Sequence, residues 1–157
     1  MNLVKTDDYP EKAASFFYAG YNCAQATALA FAKELGLDES EVQNAMAGFG
    51  GGFSGRRENC GAISALVYIA GLKEGNYNPN NNQEKTAFYE KVRNAIEVFE
   101  KEFGTVICKD LLEKYDIEVK TDPRERDEAY YRSRPCALFI KKAARLIAEN
   151  LQRKELA

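Results

Sequence analysis

An all-α fold, a compact helical bundle, is what this sequence predicts. Three observations point there. Apolar residues recur at helical spacing in several segments, residues able to cap a helix stand at their starts, and glycine stands at their ends. The 157 residues, 45 % of them hydrophobic, are also enough to bury one core.

The elements follow in order. Residues 10–19, PEKAASFFYA, open at a proline suited to the first helical turn and stop before Gly20, with Phe16 and Phe17 on the apolar face. Asn22 and Gln25, three apart, have the spacing of a reciprocal cap. They start a helix that carries Leu29, Phe31, Ala32 and Leu35 and stops at Gly36. Asp38 and Glu41 repeat the pattern before a shorter helix to about Ala47. The stretch AGFGGGFSGRRENC then reads as a glycine-rich loop.

Asn59 caps a buried helix from Cys60 to Ala70, which Gly71 ends. Val67, Tyr68 and Ile69 favour a strand, but the small Ala62, Ser64 and Ala65 suit a tightly packed helix better. Residues 72–81 form a polar connection. Glu84 to Phe103 is a long helix with Phe88, Val92, Ala95, Ile96, Phe99 and Phe103 in register. Thr105 caps another helix that ends near Lys114. Residues 116–134 are polar: Arg124, Arg126, Arg132 and Arg134 alternate with Asp122, Glu125, Asp127 and Glu128, the pattern of a solvated mixed-charge surface. A last amphipathic helix begins around Pro135. No repeat or internal boundary divides the chain, so residues 1–157 read as a single domain.

Composition narrows the function. A net charge of −2 gives no global positive field, which argues against a nucleic-acid binder. No apolar run is long enough to span a membrane, and residues after Met1 do not read as a secretory signal, so the expected location is cytoplasmic. Structural disulfides are uncommon there.

Chemistry gathers on four cysteines. Cys23 follows Asn22, Cys60 follows Asn59, Cys108 lies three residues after Thr105, and Cys136 follows Pro135. Each is expected in the first turn of a different helix, where unpaired N–H groups favour a thiolate. Intervals of 37, 48 and 28 residues contain no close pair of the zinc-ribbon or ferredoxin kind, yet separate helices can assemble one site. Four thiolates can ligate an iron–sulfur cluster, two per iron or one per iron, or a single zinc ion. With no histidine in the chain, imidazole ligation and Cys-His hydrolysis are both excluded.

The glycine-rich stretch lacks the phosphate-loop signature and a preceding strand. Beside a thiolate site, Gly51 and Gly52 could bend the chain closely and aim amide donors at sulfur, while Arg56 or Arg57 offsets negative charge. Arg132 and Arg134 stand near Cys136 in the same sense.

The succession YNCAQA, GFGGGFSGRRENCGAISAL, FGTVICKDLL and RPCALFIKKAARLI resembles the C_GCAxxG_C_C family of redox proteins over roughly residues 16–150. The central motif here is Asn59-Cys60-Gly61-Ala62, with Ala65 and Leu66 where the family pattern carries a further small element. The resemblance implies a redox-active thiol or iron–sulfur role. The leading expectation is therefore an electron-transfer protein in which Cys23, Cys60, Cys108 and Cys136 bind a cluster, with Cys60 and Cys23 central to the chemistry and Gly51, Gly52, Arg56 and Arg57 supporting it. A cluster-free dithiol protein and a structural interaction module are the alternatives. The expected partner is another redox protein or electron donor, and a homo-oligomer stays open.

Overall fold

The computed structural model describes residues 8–156, with side chains described through residue 150; the leader-free reading of residues 1–7 lies outside this range. The fold is all-α, as expected. In chain order the elements are α1 (Asp8–Tyr18), α2 (Cys23–Ala32), α3 (Glu39–Met46), α4 (Gly50–Phe53), α5 (Gly61–Glu74), α6 (Asn82–Phe103), α7 (Cys108–Glu113), α8 (Glu128–Ser133) and α9 (Cys136–Leu156).

Helix α2 is the centre of the bundle. Ala24, Ala26, Ala28, Ala30 and Ala32 are buried, and these short side chains let α1, α5 and α9 approach from several sides. Phe17 and Phe31, with Leu66 and Ile69 of α5 and Ile140 and Ile147 of α9, fill the core around it. Its start is fixed as the sequence predicts: Gln25 N–H donates to Asn22 Oδ1 at 2.8 Å and Asn22 N–H donates to Gln25 Oε1 at 3.1 Å. By contrast, α6 lies along the outside with only Phe99 buried.

Four local expectations are corrected. Helix α5 runs through Gly71 to Glu74, because Gly71 keeps a right-handed conformation and Gly75 closes the helix by donating to Gly71 O at 2.7 Å. Cys60, not Asn59, is the cap of α5; Asn59 forms an antiparallel bridge with Ile107. Thr105 does not cap α7: its Oγ1 accepts from Ile107 N–H at 3.1 Å, and Ile107 holds the cap position. Helix α8 was not expected in the polar segment; Asp127 Oδ1 accepts from Tyr130 N–H at 2.8 Å and starts it.

The glycine-rich stretch is not an open loop. After a 3-10 turn over Ala47–Phe49, every residue from 51 to 55 has positive φ: Gly51 65°, Gly52 63°, Phe53 67°, Ser54 56° and Gly55 88°. Ser54 N–H donates to Gly50 O and Gly55 N–H to Gly51 O, which makes this one turn of left-handed helix. Phe53 and Ser54 hold a conformation that costs about 1–2 kcal/mol per residue with a Cβ.

Among the described residues, no helix is long and apolar enough to cross a membrane.

Candidate functional site: four thiols and an arginine-lined cleft

The four cysteines stand at four helix starts. Cys23, Cys108 and Cys136 are the first residues of α2, α7 and α9, and Cys60 is the cap of α5. A short backbone ladder holds two of them together: Cys60 N–H donates to Val106 O at 2.8 Å, Cys108 N–H to Glu58 O at 2.6 Å and Lys109 N–H to Arg57 O at 3.1 Å. Cys23 is fixed by the Asn22 cap, whose Nδ2 also donates to Ala47 O at 3.1 Å and so ties α2 to the 3-10 turn that leads into the left-handed turn. All four are free thiols.

They converge. Negative charge on Cys23, Cys136 and Cys108 each raises the pKa of Cys60; Cys108 does the same to Cys23, and Cys23 and Cys108 to Cys136. Every thiol is therefore within electrostatic reach of the other three. The expectation of thiolates at helix starts is corrected for Cys23, Cys60 and Cys136, where burial outweighs the favourable backbone. Burial is the largest influence on Cys23, Cys60 and Cys136 and pushes all three up, Cys60 well above its ordinary value and Cys136 to about 12. Backbone N–H groups of Gly51, Gly61 and Ala24 act on Cys23 in the opposite direction, as Ala62 does on Cys60, without prevailing.

The supporting residues divide. Gly51 lends its N–H to Cys23, and Gly52 is buried where a Cβ would stand 2.6 Å from Glu58 N. Arg57 Nη1 donates to Cys108 Sγ at 3.7 Å, and its Nε donates to Lys120 O at 2.8 Å. Arg56 faces elsewhere: its side chain is 74 % exposed and pairs with Glu58 at 3.0 Å.

Sequence reasoning passed over Gly61, where a Cβ would come within 2.5 Å of Cys23 Sγ and 3.0 Å of Phe49 O. Its place directly after Cys60 was the available signal. Two of the arginines assigned to a solvated surface are corrected as well. Arg134 is buried, and Arg126 is half-buried with its guanidinium 4.9 Å from the Phe17 ring centre and 4.7 Å from that of Tyr130. Both oppose the rise in the Cys136 pKa. With Arg57 and Arg124 they line a cleft of about 350 Å³ next to Gly50 and Gly51.

Convergence is not closure on a point. Among the described residues, no three Cys, Asp or Glu side chains are grouped so as to hold a metal ion, so a single zinc ion would require the thiols to move inward. What is present is four free thiols at neighbouring helix starts, with backbone N–H groups beside Cys23 and Cys60 and guanidinium groups beside Cys108 and Cys136.

A family model described as "Putative redox-active protein (C_GCAxxG_C_C)" matches residues 21–150. No curated protein and no solved structure matches the chain.

Proposed function

Since the chain belongs to the C_GCAxxG_C_C family of redox-active proteins, we propose that Cys23, Cys60, Cys108 and Cys136 hold an iron–sulfur cluster and that the protein carries electrons. The observation that supports this most is the convergence of four thiols, each from its own helix start and each within electrostatic reach of the rest. A cluster asks for thiolates on separate irons, so no three sulfurs need to share one ion. When bound, such a group supplies one-electron transfer.

The chain's own residues do the rest. Arg57 at Cys108, Arg126 and Arg134 near Cys136, and the amides of Gly51, Gly61 and Ala24 at Cys23 offset negative charge on sulfur. Burial of Cys60 keeps water from that thiol. The raised pKa values also weaken the dithiol alternative, because a protonated thiol is a poor nucleophile near neutral pH, whereas a metal displaces the proton.

Anaerobic reconstitution, with iron and sulfide analysis and visible spectra before and after reduction, tests the proposal. The expected result is stoichiometric iron and sulfide with a reducible chromophore. Cys60→Ser, Cys23→Ser, Cys108→Ser and Cys136→Ser should each lose most of the bound iron while far-ultraviolet circular dichroism retains the helical signal. A folded wild-type chain that binds neither iron nor sulfide, or a Cys60→Ser chain that retains both, would overturn it. A reversible intramolecular disulfide without iron, seen by mass spectrometry, would instead establish the dithiol reading.

A further inference from the structure

We propose that the arginine-lined cleft beside the thiols is a binding site for a small anionic molecule bearing phosphate or carboxylate groups. The cleft lies between the Gly50–Arg57 segment and residues 121–134, and its volume of about 350 Å³ falls in the lower range of small-molecule sites, about 300–1,000 Å³. Arg57, Arg124, Arg126 and Arg134 line it together with Asn22, Tyr130 and the backbone of Gly50 and Gly51, and no aspartate or glutamate does.

The observation that points to an occupant is a pair of buried guanidinium nitrogens without hydrogen-bond partners. Arg134 is only 6 % exposed, yet its Nε has no hydrogen-bond partner. Nη1 of Arg126 is buried and unpartnered as well. Both guanidinium groups stand over the Tyr130 ring, at 4.9 and 4.7 Å from its centre, which orients them but accepts no in-plane hydrogen bond. Elsewhere among the described residues, cations such as Lys91 and Lys142 reach Glu74 and Glu102 at 2.7 and 3.2 Å. Buried donors are normally satisfied, and a planar guanidinium fork suits phosphate and carboxylate oxygens alike. No cysteine lines the cleft, and the occupant would be linked to the thiols through arginines they share: Arg57 beside Cys108, and Arg126 and Arg134 near Cys136. The site does not depend on the iron–sulfur reading.

Calorimetric titration of the full chain, as purified and in low-chloride buffer, with inorganic phosphate, pyrophosphate and citrate tests it. The expected result is one-to-one binding of pyrophosphate or citrate, tighter than that of phosphate and weakened by added salt; which of the two binds identifies the anionic group. Arg134→Gln should weaken it about tenfold or more. Because Arg134 is buried, the exposed Arg124→Gln provides a variant less exposed to folding defects, with the same expected direction. Arg132→Gln, outside the cleft, should leave affinity unchanged. Failure of a folded wild-type chain to bind any of the three anions overturns the site. So does binding that survives both Arg134→Gln and Arg124→Gln, or that Arg132→Gln weakens equally. A chain that takes up iron but none of these anions would sink this site and leave the cluster reading standing.

Discussion

Helix α5 carries a glycine at its first residue and another ten residues on, and the two sit in opposite surroundings. Gly61 is pressed between Cys23 Sγ, Phe49 O and Ala24 N, with no room for a methyl group; around Gly71 a Cβ would meet nothing within 4 Å. The contrast extends to the ends of the bundle they belong to. At the Gly61 end, backbone approaches sulfur closely, a left-handed turn is held in place, and two buried guanidinium nitrogens lack hydrogen-bond partners. At the Gly71 end, Leu72 is exposed, Glu74 pairs with Lys91, and α6 lies loosely outside. Of the two glycines within α5, only the one beside the thiols is closed in by other segments, so that end should respond to chemistry and substitution out of proportion to its size.

Alkali should separate the two ends most strongly. At neutral pH Cys23, Cys60 and Cys136 are protonated in both folded and unfolded chains. As pH rises toward 12, the unfolded chain releases protons that folded Cys136 retains, and Cys23 and Cys60 shift in the same direction. The folded state then binds more protons, so stability falls with pH by about 1.4 kcal/mol per unit for each such thiol. Urea unfolding of the iron-free chain at pH 8 and pH 10 measures this, and equal stability at both would remove the claim that burial governs these thiols.

Substitution comes next. Gly61→Ala should destabilise by about 1–3 kcal/mol through overpacking and lower iron retention as well, read by thermal unfolding and metal analysis. A wild-type melting temperature would show that Cys23 can step aside. Asn22→Ala removes the side-chain half of the reciprocal cap, the bond from Gln25 N–H, and the bond to Ala47 O, so it should cost about 1–2 kcal/mol. Asn81→Ala, which removes the side chain accepting from Gln83 and Glu84 at the start of α6, should cost about half that. Equal losses would erase the distinction between the ends. The smallest effect, and opposite in sign, is expected for Gly71→Ala, a gain of about 0.5–1 kcal/mol at an unobstructed helical position.

What could be read from the sequence was local. The Asn22–Gln25 cap, the Asp38–Glu41 start and the helix beginning near Glu84 each depend on groups three or four residues apart, and the structure has them. The four cysteines at helix starts were legible for the same reason. Failures came where distant segments decide. Nothing near Phe53 and Ser54 dictates positive φ; neighbouring backbone packs closely there, with Gly52 against Glu58 and Gly55 against Thr121, positions where a side chain would collide. Helix-start logic gave thiolates because it counts local donors, whereas burial is set by the whole bundle. Arg134 looked solvated among its charged neighbours, and only the packing of α8 and α9 shows it buried over Tyr130.

The ladder between residues 57–60 and 106–109 has a consequence for how the chain tolerates change in length. It joins the two ends of the intervening α5–α6 excursion by direct backbone hydrogen bonds, so the spacing of Cys60 and Cys108 is set at the knot rather than by what hangs from it. Closing a longer excursion adds little, about 0.6 kcal/mol for a doubling of a flexible loop. The Asn78–Asn81 turn at its far tip is thus the natural place for this architecture to grow or shrink, with the sulfur centre kept in register as the outline of the molecule changes.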